Sequence, residues 1–246
     1  MKRFKWYAVI SGCLIGLSAI SYFFEIQIFH RESDTFFYML QDISFVPIQV
    51  LLVSIIVEQL LSRREKRQKL SKMNMAIGTF FSEVGTDLMR QFSSFDLTVS
   101  KIRDRLLVKS EWSNQEFDAV RRFLLSYDCS IDSNIRDLQA LKIYLIGKRD
   151  FLLRLLENPN LLEHESFTDL LFAVFHLTEE LAVRKSVSSL SPPDYKHVAN
   201  DLKRAYGLLL SQWITYVKHL KNDYPFIFSL VIRTNPFDAQ ASPEIK

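Results

Sequence analysis

Two long apolar runs near the start of the chain limit what it can fold into more than any other feature. Trp6–Phe24 reads WYAVISGCLIGLSAISYFF and holds no charge; Ile43–Leu61 reads ISFVPIQVLLVSIIVEQLL and holds one, Glu58. Nineteen residues of helix, the length of each run, rise roughly 28 Å, close to the ~30 Å hydrocarbon core of a bilayer. The pair predicts a transmembrane hairpin over residues 1–62, with helices at about 6–24 and 43–61 and a short loop at 25–42. A cleaved secretory signal begins the same way, and Ser18-Ala19 resembles a cleavage site. The apolar run nevertheless continues through Tyr22, Phe23 and Phe24, and a second run follows, which favours an uncleaved helix.

The basic residues orient this hairpin. Lys2, Arg3 and Lys5 precede the first run, and Arg63, Arg64, Lys66, Arg67, Lys69 and Lys72 follow the second. Between them stands a single Arg31 against Glu25, Glu32, Asp34 and Asp42. Lys and Arg concentrate on the cytoplasmic side of membrane helices, so both chain ends are expected inside a cell (inner) membrane and the acidic loop outside. Glu58 then marks the inner boundary, within reach of Arg63, and the RREKRQK cluster is a topological anchor touching anionic headgroups rather than a nucleic-acid patch. Pro47 costs little if Asp42 or Ser44 caps the second helix; if the helix starts near Thr35, the proline should kink it. Ala8, Gly12 and Gly16 share one face of the first helix, a small-xxx-small pattern that permits close helix packing and favours a homo-oligomer.

The remaining chain has ordinary soluble character. The overall mean hydropathy of +0.03 averages the two parts, and 6 Gly and 7 Pro in 246 residues argue against a turn-rich β fold. Apolar residues recur at helical spacing from Leu70 through Met73, Ile77, Phe80, Val84 and Leu88 to Leu106, with a break expected near Ser93. Their seven-residue rhythm also suits contact between subunits. Ser113 and Glu116 predict a capping box. Further helices are expected over about 133–157, from Ser166 to Lys185, and from an Asp194 cap through Leu220. The class is therefore all-α, with a cytoplasmic helical domain over 63–237. PFIFSLVIRTNPF should fold back on the bundle or the inner membrane surface, and 238–246 should be a disordered tail.

Candidates for chemistry are few. His176 and Glu180 stand four apart in FHLTEEL, a step that can bind iron or zinc on one helix face. The stretch resembles the HFxxEE segment of hemerythrin-like bundles. Those bundles need further histidines, including an HxxxH pair that this sequence lacks, and the helical wheel sets His176 and Glu180 opposite the core stripe. No stoichiometric metal and no cofactor are expected. Glu83 and Asp87, also four apart, read as a solvated pair, His164 as an exposed loop imidazole, and His219 with Asp223 as a helix-end contact. Cys13 and Cys129 imply no disulfide. No catalytic motif is present, so no catalytic residue is assigned and an enzyme is not expected.

Taken whole, the chain resembles uncharacterised two-span membrane proteins of bacteria and archaea. The resemblance rests on DISFVPIQVLLVSIIVEQLLSRREKRQKLSKMNMAIGTFFSEVG, LLFAVFHLTEEL and HLKNDYPFIFSLVIRTNPF, and it implies no known activity. The reading is a non-enzymatic membrane protein with a cytoplasmic scaffold or signal-transmitting domain. Its rivals are a metal- or ligand-binding sensor using His176, Glu180 and Glu83, and a small oligomeric channel lined by Glu58 and Gln49.

Overall fold

The computed structural model describes residues 2–29, 32–132, 138–162 and 164–244. It is all-helical: among the described residues there is no strand, only an isolated antiparallel bridge between Asp96 and Ile131. The chain divides into two compact units, Met1–Lys66 and Arg67–Lys246.

The first unit holds α1 (Lys2–Phe29) and most of α2 (Glu32–Phe80). Both helices overrun the apolar stretches that predict them. The loop expected at 25–42 is helical at 25–29 and 32–42, and residues 30–31 lie outside the described residues. Asp34 places negative charge in the first turn of α2, where the helix dipole favours it, and the helix begins ahead of Asp42. Pro47 consequently sits inside α2 rather than in its first turn. Ser44 does not cap; its Oγ donates back to the Leu40 carbonyl at 2.8 Å. The Tyr22 hydroxyl, on α1, donates to Asp42 Oδ2 at 3.3 Å, linking the two helices. An 18-residue window of α2 has a mean hydropathy of 2.0 with none of it buried, which makes α2 the one described helix long and apolar enough to cross a membrane. Gly12–Ile28 of α1 is a shorter apolar helix.

The second unit begins where the apolar stripe turns inward. Met73, Ile77, Phe80, Phe81, Val84, Leu88 and Met89 are all buried in the core of the same chain. The subunit-contact face expected from their spacing is therefore already covered, and Leu70 alone of its upper residues remains well exposed, at 45%. A π-helical turn, Phe81–Gly85, follows α2 directly, and α3 (Thr86–Ser94) follows the turn. The Thr86 hydroxyl donates to the Phe81 carbonyl at 2.8 Å, five residues back. The extra residue in this turn lets Phe80 with Phe81, and Val84 with Gly85, face inward as adjacent pairs. Gly85 is needed there: a Cβ would stand 2.6 Å from Phe81 Cδ1 and 2.8 Å from Phe80 Cε1.

The stripe breaks after Ser94, as its Ser-rich end predicts, and resumes as α4 (Ser100–Leu106). The capping box forms as expected: Ser113 Oγ accepts from Glu116 N, Glu116 Oε2 accepts from Ser113 N at 2.6 Å, and α5 (Asn114–Leu125) follows. Then come α6 (Leu138–Leu156), the single turn α7 (Pro159–Leu162), α8 (Glu165–Val183), α9 (Pro192–Asp223) and α10 (Pro225–Arg233). The start expected for α6 at Ser133 lies outside the described residues.

Two caps differ from the sequence reading. His164 is not a free imidazole: its Nδ1 accepts from Phe167 N at 3.1 Å and opens α8 ahead of Ser166. Ser191 rather than Asp194 caps α9, with Pro192 and Pro193 in the first turn, where a missing N–H costs nothing. The segment after Pro225 is helical, with Phe228 buried while Phe226 is 74% exposed. Beyond it, Asn235 donates from Nδ2 to the Leu106 carbonyl at 2.8 Å, and Phe237 packs edge-on to Trp213 at 5.8 Å between centroids. Where a disordered tail is expected from 238, Ser242 N instead bonds the Arg233 carbonyl at 3.0 Å. Phe237 supplies the buried apolar anchor that composition beyond Asp238 lacks.

Candidate functional site

The α8–α9 hairpin brings together the most concentrated set of ligand-capable side chains. The core face of α8 carries Phe167, Leu170, Leu171, Val174, Leu177, Thr178 and Leu181, all buried. That leaves His176 and Glu180 on its outer edge, as the helical wheel predicts. Only residues 184–191 separate α8 from α9, so the two pack as antiparallel neighbours, and α9 turns Val198, Leu202 and Ala205 inward. Its outer edge then carries His197 and Asp201, one turn apart.

These two pairs meet. His197 Nε2 lies 3.3 Å from Asp201 Oδ2 and 3.5 Å from Glu180 Oε2. His176 Nε2 lies 3.6 Å from Asp201 Oδ2 and 4.0 Å from Glu180 Oε1. Arg184, at the end of α8, binds Glu180 Oε2 at 2.6 Å and reaches Asp194 at 3.4 Å. The guanidinium holds the Glu180 carboxyl below the usual carboxylate range, against the opposing effect of burial, with lesser help from His197 and His176. Asp201 is in a different position. Its Oδ2 is buried yet accepts no hydrogen bond. No HxxxH pair is present, but an HxxxD step on the neighbouring helix brings a second histidine, His197, beside His176. His197-x-x-x-Asp201 has the same spacing as His176-x-x-x-Glu180, and that repeat was the available signal.

The other candidates are not assembled into a site. Glu83 pairs with Lys148 at 3.6 Å and Asp87 with Arg90 at 2.9 Å, so the two carboxylates serve separate surface ion pairs. His219 Nδ1 contacts Asp223 at 2.8 Å near the end of α9, as expected. Glu58 stands exposed on α2 in an open groove of about 590 Å³ with Ser54, Ser62 and Glu65. Arg63, Arg64 and Lys66 are exposed on the same helix, and α2 runs through Arg67 without a break. In α1, helical throughout Ala8–Gly16, nothing lies within 4 Å of a Cβ built on Gly12 or Gly16.

Sequence reasoning missed a second buried cluster, around Asp96. Its Oδ1 accepts from Thr98 N at 2.9 Å, Thr98 Oγ1 at 2.8 Å and Ser130 N at 3.2 Å, and its Oδ2 accepts from the Tyr127 hydroxyl at 2.6 Å. Desolvation, then the Asp96 bond, raises the Tyr127 phenol. Burial pushes the neighbouring Cys129 thiol up to about 11, so it stays protonated and inert at neutral pH. Four donors from its own chain occupy this carboxylate, and together they staple the α3–α4 turn to the segment after α5. It is structural.

An all-α chain with a highly apolar helical pair, a helical body and an imidazole–carboxylate cluster on one hairpin: that is the class. The chain belongs to the MJ1433 family. Residues 2–61 match the family described as "MJ1433, N-terminal helical domain", and residues 69–233 match "Uncharacterized protein MJ1433, C-terminal helical domain". It is similar to "Uncharacterized protein MJ1433" of Methanocaldococcus jannaschii, 45% identical over 238 residues, covering 97% of this chain and 96% of that protein. No solved structure matches the chain.

Proposed function

We propose that the chain is an integral cell-membrane protein: α1 and the apolar part of α2 cross the bilayer as a hairpin, and the helical body lies in the cytoplasm. One observation carries this reading. Between Ile43 and Leu61 thirteen large apolar side chains are each 43–60% exposed, on every side of α2. At ~1.5–3 kcal/mol for fully burying each such side chain, leaving them half in water forgoes on the order of 10 kcal/mol or more, a cost that lipid removes. Water-facing helices have a polar face, and this stretch has none. The basic residues at both flanks, against one in the connection, support the orientation. A reporter active only in the cytoplasm, fused after Lys246, is expected to be active; activity of an exported reporter at that position would overturn the topology.

In this reading the body is a non-enzymatic scaffold or signal-transmitting domain, and the protein works as a homo-oligomer. With the Met73–Leu88 stripe covered in its own chain, the oligomer rests on the open face at Gly12 and Gly16. Lipid provides little hydrophobic drive between helices, so close packing at small residues must supply it. Mass measurement in mild detergent is expected to find an oligomer that Gly12→Leu with Gly16→Leu weakens; a monomer at all concentrations, or indifference to the double substitution, would contradict this.

A further inference from the structure

We propose that His176, His197 and Asp201 form a binding site for one divalent transition-metal ion, clamping α8 to α9, with Glu180 held beside it by Arg184. The site lies in the helical body and stands independently of the membrane reading.

The distances carry the argument. The three ligand atoms, one ring nitrogen from each histidine and one carboxylate oxygen, lie within 4.8 Å of one another. A tetrahedral site with bonds of about 2.0–2.2 Å has ligand–ligand edges of roughly 3.4 Å. The separations of Asp201 Oδ2 from His197 Nε2 and His176 Nε2, 3.3 and 3.6 Å, are close to such edges. They are too long for the alternative. A charge-assisted hydrogen bond from an imidazolium to Asp201 would sit near 2.7–2.9 Å, and neither ring makes one. Asp201 Oδ2 is instead left buried without a donor, a position that costs free energy unless something positive occupies it.

The ligand types agree with the geometry. Two neutral imidazoles and one carboxylate suit zinc and its neighbours in the first transition row, and three protein ligands leave a position for water. Both histidines are half-exposed, at 50% of their side-chain surface, so an ion enters from solvent without opening the core. The exposed rings also mean that the fold does not depend on them. Glu180 stands beside the three from α8, with its Oε2 3.5 Å from His197 Nε2 and 2.6 Å from Arg184, so the guanidinium already engages it and it is not counted among the three ligands.

The test uses full-length protein in detergent, stripped with chelator and titrated with Zn²⁺ and, separately, Co²⁺. Wild type is expected to bind about one ion per chain by competition with a chromophoric chelator, and Co²⁺ should develop the visible absorption of a low-symmetry, nitrogen- and oxygen-ligated site. His176→Gln, His197→Gln and Asp201→Asn should each weaken binding by more than the roughly 10–100-fold that loss of an outer partner costs. All three should keep the wild-type helix content, and the two variants at the half-exposed histidines should also keep the unfolding midpoint of the stripped protein. Absence of stoichiometric binding in wild type overturns the proposal, and so does binding that survives His197→Gln combined with Asp201→Asn.

Discussion

Phe80→Ala is expected to lower the stability of the helical body by about 3–5 kcal/mol, the usual cost of emptying a fully buried aromatic site. Phe80 is 0% exposed. Its ring meets Phe81 edge-on at 5.3 Å and Phe167 of α8 edge-on at 5.4 Å, so one side chain ties the end of α2 to the middle of the bundle. Phe81 in turn stacks on Tyr216 of α9 at 4.8 Å, and the Tyr144 hydroxyl donates to the Val84 carbonyl at 3.3 Å within the π turn. These rings have few ways to relax into a vacated space, because the π turn presents them from consecutive residues. Denaturant unfolding of full-length protein in detergent, followed by helix content, should show a midpoint shift of this order. Phe172→Ala, at a 52% exposed position of α8, should change stability by no more than about 0.5 kcal/mol. Equal effects at the two positions would contradict the packing described.

A second large effect is expected from Leu52→Arg combined with Ile56→Arg. Both side chains are more than half exposed, at 53% and 57%, so in water the substitutions would be harmless or favourable. In a bilayer an arginine near the helix centre costs about 2.5–3.5 kcal/mol on insertion scales, and two compound the penalty. The variant should therefore appear in the soluble or degraded fraction while wild type stays with membranes. An unchanged distribution would show that this part of α2 does not face lipid.

The helices were legible in the sequence because each rests on local chemistry. The Ser113–Glu116 box, the Ser93-Ser94 break and the helical spacing from Met73 to Leu88 each depend on residues a few positions apart, and all appear in the fold. The ends of α2 were less legible. Pro47 points to a start near Asp42, yet α2 begins at Glu32 and carries the proline inside it. His164 was missed as a cap because an imidazole Nδ1 is a rarer acceptor there than the serine beside it. The π turn has no sequence signature beyond Phe80-Phe81 and Gly85. The sites were legible only by halves: His176 and Glu180 stood out on α8, but pairing them with His197 and Asp201 requires the α8–α9 register. Asp96 likewise meets Tyr127 and Ser130 only across more than thirty residues of chain.

The reading of the chain as a membrane protein depends on the apolar surface of α1 and α2, and extraction of native membranes tests it most directly. Peripheral proteins leave membranes washed with alkaline carbonate, whereas helices that cross the bilayer stay until detergent is added, since no pH change alters the transfer cost of side chains such as Ile48, Leu51, Val53 and Ile55. Full-length chain should remain in the washed pellet and be released by mild detergent. Release of the folded chain into the carbonate supernatant would contradict the account.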